Sequence, residues 1–378
     1  MSVLIQREPV LNRHKTITAS RLRVHAPSCA AAASELSRLA PLWPGARDVF
    51  VGLDDCVPTV DLLAWQPPLN VMLEISATRL QDADTQALMS DLICRQIPLC
   101  LDDYEIGMTL PAHASFRFLL ADASRQPDMS HAPGSPLAKG LADSEAFNEA
   151  IAHGYAGGTG WFFLHTPHTP GNKLNASHAQ IIHLLNLVRN NAEIKDIELA
   201  LKKDVTLAFK LLRYINSAGF GVATEVSSFR HAVTLMGYDK LNRWLSLLLV
   251  NASHDQRAPA LMQTAVIRGR FMEILGTALL PKDQLDNLFI AGAFSILDTL
   301  LGTQLDVVFE HLQLPPVITT ALLERSGPIA PLLTLAMTCE TGTATQMATQ
   351  LSALGLSAEQ CNSAQLEALA FADKLQFS

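Results

Sequence analysis

The chain has 378 residues, 49% of them apolar, and its 28 basic against 36 acidic side chains leave a formal charge of −8. That length accommodates two domains with separate cores, and the apolar fraction excludes a disordered or tail-dominated protein. The acidic balance supplies no basic surface, so nucleic acid is not an expected partner. The six cysteines show no CxxC pair and no repeated spacing, which fits buried free thiols in a reducing compartment better than a disulfide framework. The opening MSVLIQREP lacks the basic-then-apolar order of a signal peptide, and no apolar run approaches the ~20 residues of a spanning helix. A cytoplasmic protein without a membrane partner is expected.

Residues 1–168 read as alternating strands and helices. Val3-Leu4-Ile5 opens the chain, and SRLRVH (20–25) alternates as a strand before an alanine-rich helix over 30–39. Strands follow at 48–53, 70–75, 97–101 and 115–120, with helices at 59–64, 82–93 and 144–153 between or after them. The apolar GWFFL (160–164) makes a last strand. This alternation predicts a parallel α/β sheet or barrel. Eight full βα units are hard to find in so short a segment, so the expected barrel is incomplete. Residues 169–176 contain Pro170 and Gly171 and read as a linker. From 177 to 378 the pattern is helical, predicting a separate all-α domain.

The helical half is most regular between 193 and 253. An apolar stripe at Val205, Ala208, Leu211, Leu212 and Ile215 marks a helix, and the turn Asn216-Ser217-Ala218-Gly219-Phe220-Gly221 breaks it. Ser227 suits an N-cap for the next helix, Gly237 can close that helix in a left-handed conformation, and Asp239 can cap a leucine-rich fourth. Residues 204–212, this turn, the 228–237 segment and the leucine-rich helix resemble the HDOD domain. AGAFSILDTLLG (291–302) and LLERSGPIAPLL (322–333) are similar to that family's later part. The family is a relative of the HD-type metal phosphohydrolases without their metal-binding residues. The one His-Asp dipeptide here, His254-Asp255, lacks the partners such a site needs. The resemblance implies a protein-binding module, with Asn216, Ser217, Phe220, Arg230 and Trp244 as its candidate contact surface. Each could instead only fix helix crossings.

NVMLEI (70–75), IPLCLDDYEIG (97–107) and the late GWFFLHTP resemble the EAL domain, a barrel that hydrolyses cyclic di-GMP, and EAL followed by HDOD is a known signalling architecture. The resemblance implies divalent metals held by a Glu, an Asn, a second Glu and an Asp-Asp pair, with a Lys assisting. Glu74, Asp102 and Asp103 match that pattern. Arg21 stands at the first Glu position, Gly52 at the Asn position, Phe118 nearest the Lys (Arg117 is adjacent), and Thr159 near a late Gln. A cation cannot ligate a cation, so the expected fold is a degenerate TIM-barrel-like EAL domain followed by an all-α HDOD domain, with no catalytic residue, metal or cofactor. Asp102 and Asp103 can also be structural, capping a turn or bonding Arg21. The expected function is a non-catalytic signalling protein acting through HDOD contacts with unidentified signalling proteins. The alternative is a cyclic di-GMP receptor that does not hydrolyse its ligand, and residual phosphodiesterase activity ranks last.

Overall fold

The computed structural model describes residues 2–126, 128–165, 176–202, 229–251 and 256–374. Two compact units divide the chain: Met1–Thr166 with Leu335–Ala370, and Pro167–Thr334 with Phe371–Ser378.

The first unit is a closed barrel of eight strands in chain order. β1 (Leu4–Asn12) and β2 (Ile17–His25) form a hairpin that sets Glu8 opposite Arg21. From β2 onward the neighbours are parallel: β3 (Asp48–Leu53), β4 (Val71–Ser76), β5 (Leu99–Asp102), β6 (Phe116–Asp122), β7 (Ser135–Lys139) and β8 (Gly157–Thr159). β8 closes antiparallel onto β1, pairing Val10 with Thr159 and Asn12 with Gly157. A Cβ on Gly157 would lie 2.1 Å from the Leu11 carbonyl oxygen, so glycine is what lets these two backbones meet.

The expectation of an incomplete barrel is thereby corrected. Eight strands fit because only three of the connections carry an α-helix: β3 and β4 are joined through a 3₁₀ turn, and among the described residues β5–β6 and β6–β7 have no helix between them. The α-helices among the strands are α1 (Cys29–Arg38), α2 (Ala83–Cys94) and α3 (Ser144–Ala152). α1 and α3 have capped starts, Ser28 accepting from the Ala31 N–H and Asp143 from those of Glu145 and Ala146. The segment 160–164, expected as a strand, follows β8. Its Phe162 lies in a 3₁₀ turn and stacks on Phe147 at 4.7 Å. Inside the barrel, Val10, Ala19, Phe50, Met72, Cys100, Leu120 and Leu137 form one apolar cluster. Two residues further along β3, β4 and β5 stand Gly52, Glu74 and Asp102, on the same inward faces by the period of two.

The boundaries expected for the second domain, 177–378, do not match the packing, because 335–370 belongs with the barrel. The reason is a set of hydrogen bonds to β1 and α1. Asn362 Oδ1 accepts from the Ile5 N–H at 3.0 Å, while its Nδ2 donates to the Val3 carbonyl at 3.0 Å and to Glu35 Oε1 at 2.7 Å. Gln365 donates to the Ile5 carbonyl at 2.6 Å, and Gln6 donates to the Gly342 carbonyl at 2.8 Å.

The second unit is helical among its described residues. It includes helices Ala176–Arg189, Ile194–Lys202, Phe229–Asn251, Ala258–Gly276 and Leu285–Phe294. Gly237 interrupts the third of these at φ 70° and ψ 172°, a positive-φ kink in place of the left-handed helix closure expected there. Arg243 holds Glu273 with paired bonds of 2.7 and 2.8 Å while its guanidinium lies 3.5 Å from the Phe289 ring centre. Cys29, Cys100, Cys339 and Cys361 are buried free thiols, but Cys56 is half-buried and Cys94 exposed, against the expectation of buried thiols throughout. No described helix is long and apolar enough to cross a membrane.

Asn362→Ala would leave the buried Ile5 N–H without its acceptor. The expected loss is about 2 kcal/mol, read as a lower urea midpoint together with faster hydrogen exchange at the Ile5 amide. An unchanged midpoint would mean that 335–370 does not brace β1.

Candidate functional site

Arg21, Arg23 and His25 occupy alternate positions of β2, which places all three on one face of the strand. Arg21 is buried at 5% exposure and grips Glu74 with a fork: Nε donates to Oε1 and Nη2 to Oε2, both at 2.8 Å. Its remaining donors reach Glu8 at 3.1 Å and Asp102 Oδ2 at 2.9 Å. Lys139, at the end of β7, donates to Asp102 and to Asp103 Oδ1, the latter at 2.6 Å. At the rim, Arg23 pairs with Asp54, and His25 Nδ1 lies 3.0 Å from an Asp55 carboxylate oxygen. Asp103 takes a left-handed φ of 57°, and its N–H bonds the Asp102 side chain at 2.9 Å.

Charges this deep are held by one another. Burial works against the positive charge of Arg21, but Glu74, Glu8 and Asp102 outweigh it and raise its pKa well above the usual value. Burial pushes Asp102 up, yet Arg21 and Lys139 together hold it below the ordinary carboxylate range. Glu74 ends above that range because desolvation exceeds what Arg21 recovers.

The structure therefore brings together Arg21, Glu74, Asp102 and Asp103, and it forms the Arg21–Asp102 bond read as one structural option. Gly52 lies beside Glu74: a Cβ there would meet Glu74 Oε2 at 2.6 Å. Phe118 packs against the apolar interior cluster, while Arg117 is exposed and lies 3.4 Å from Asp48. Lys139 and Glu8 were missed in the sequence. Lys139 ends the five-residue SPLAK, too short and too proline-marked to read as a strand, and Glu8 lies just beyond the opening apolar run. Asn216, Ser217, Phe220 and His254-Asp255 fall outside the described residues, and Arg230 lies on helix Phe229–Asn251. Trp244, offered either as a contact or as a residue that fixes helix crossings, is 2% exposed.

The divalent metals that an EAL-type site implies do not fit these residues. Both Glu74 oxygens accept from Arg21, Asp102 is shared by Arg21 and Lys139, and Gly52 offers no oxygen-bearing side chain. Among the described residues no group of three or more His, Cys, Asp or Glu side chains could hold an ion.

Residues 173–300 match the HDOD domain family, so the helical region following the closed barrel carries an HDOD domain. A Vibrio cholerae protein named cyclic di-GMP phosphodiesterase CdgJ is 28% identical over 200 residues, covering 53% of this chain and 46% of the relative. An uncharacterized Bacillus subtilis protein, YuxH, is 24% identical over 204 residues, covering 53% and 49% respectively. The chain thus spans about half the length of the curated relatives it matches. The structure of Klebsiella pneumoniae BlrP1 in a manganese and cyclic di-GMP complex aligns over 43% of this chain and 55% of its own, at 14% identity and a TM-score of 0.33.

The expectation of a non-enzyme that works through protein contacts after losing hydrolysis is corrected by the Vibrio cholerae relative, which bears the name of a phosphodiesterase.

Two outcomes test the site. Gly52→Ala pushes a methyl into a carboxylate already fixed by Arg21, and should cost about 1–3 kcal/mol, read by urea unfolding; no cost would show that Glu74 can swing clear. The second concerns pH. The depressed pKa of Asp102 makes its contribution full above the unfolded carboxylate value of about 3.9 and lost as pH falls through the folded value. Glu74 has the opposite sign, its ionised form being disfavoured by folding. The stability gap between the native chain and Asp102→Asn should therefore narrow on acidification, measured by melting at stepped pH, and a constant gap would contradict the pairing.

Proposed function

We propose that the chain acts in cyclic di-GMP signalling and that its barrel mouth takes the cyclic dinucleotide. The observation that carries this reading is the similarity to the Vibrio cholerae protein, whose name states action on that molecule. The HDOD domain fits the same signalling context. The mouth's own chemistry is compatible: the Arg23 side chain is 34% exposed and that of Lys139 19%, so two cations border the opening where a phosphodiester anion would approach.

The test is a calorimetric titration of the full chain with cyclic di-GMP, with the same samples chromatographed for linear dinucleotide. Saturable binding is expected, weakened about tenfold by Arg23→Ala through loss of one charge-assisted contact. Linear product rising with protein concentration would extend the relative's named activity to this chain. Absence of binding at every concentration would overturn the reading.

A further inference from the structure

We infer that Arg21 and Lys139 are the resident cations of the barrel mouth, and that the glycine at 52 and the arginine at 21 form one built unit that takes the place of a bound divalent metal. This assignment stands whichever ligand the mouth accepts.

A divalent ion of the magnesium or calcium type needs about six oxygen ligands, and the inward carboxylates are those of Glu8, Glu74 and Asp102, with Asp103 at the edge. Arg21 satisfies the first three at once, through five bonds of 2.8–3.1 Å to Glu74, Glu8 and Asp102. Lys139 satisfies Asp102 from its other oxygen and reaches Asp103. To enter, a metal would have to break the forked pair and then share the interior with a buried guanidinium. A planar fork is the geometry that neutralises a carboxylate from its own plane without hydration, which an ammonium at this position would not reproduce.

Gly52 supplies the second, independent observation. Glu74 leans so far toward β3 that its Oε2 lies 2.6 Å from where a Cβ on residue 52 would be. A side chain at that position would force Glu74 Oε2 to shift from where it meets Arg21. The residues at 21 and 52 therefore depend on each other: the glycine makes the room in which the salt bridge forms. Two separate losses from a metal site would show no such fit.

Manganese(II) binding to the full chain, counted by electron paramagnetic resonance and by melting with and without a chelator, tests this. The native chain should show no manganese-dependent rise in Tm. Arg21→Ala should lower Tm on the order of 10 °C, and either guanidinium ion or manganese should restore part of that loss by refilling the vacated position. Arg21→Lys serves where Arg21→Ala does not fold, and it should melt below the native chain because charge is kept but the fork is not. The assignment is overturned if the native chain binds manganese at a site abolished by Glu74→Gln, if a folded Arg21→Ala is restored by neither ion, or if Arg21→Lys melts like the native chain.

Discussion

The interior of this barrel depends on one ion pair, the fork between Arg21 and Glu74. Two buried charges cost far more in desolvation than their attraction recovers unless every donor and acceptor is matched. Here Glu8 and Asp102 complete that matching, with Lys139 balancing Asp102 from the far side. The barrel thus has two layers of different physics. Below lies an apolar plug built around Phe50, Met72 and Cys100. Above it lies a charge network that cannot lose one member without stranding another. The network also fixes geometry: β1, β2, β4, β5 and β7 each contribute a side chain, so it links strands that are not neighbours.

That arrangement sets the terms on which any ligand is recognised. Glu74 and Arg21 are closed off, while Arg23, Lys139, Glu8, Asp102 and the rim carboxylates Asp54, Asp55 and Asp103 keep some exposure. Recognition at the mouth is then a matter of exchanging partners at the rim while the Arg21–Glu74 pair stays closed.

Much of the fold could be read from the chain. The run DVFVGL is apolar on both faces, as a parallel strand covered on both sides must be, and its limits at Asp48 and Leu53 are those observed. Arg21, Gly52, Glu74 and the Asp102-Asp103 pair were grouped only by the EAL resemblance, since no periodicity or spacing in the sequence says that residues on four different strands meet. What escaped has physical reasons. β8 is Gly-Gly-Thr, with no side-chain pattern to read, since its role is close backbone approach. Lys139 was hidden in a strand of five residues. The helices after 335 were visible as helices, but an apolar face does not name what it packs on, and the buried amides of Asn362 and Gln365 look like surface residues in a sequence.

The bonding of β1 to residues near 362 has a bearing on how the chain is made. The Ile5 amide finds its acceptor 357 positions later, so the barrel's first strand emerges from a ribosome long before its brace exists. The barrel strands are all synthesised by residue 159, and at about 5–20 residues per second the wait for Asn362 is on the order of ten to forty seconds. Over that interval the face of β1 that Asn362, Gln365 and Glu340 later cover is open to water or to other chains. The HDOD region is translated entirely within the interval, so the helical unit is available to fold while the barrel is still waiting for its final segment.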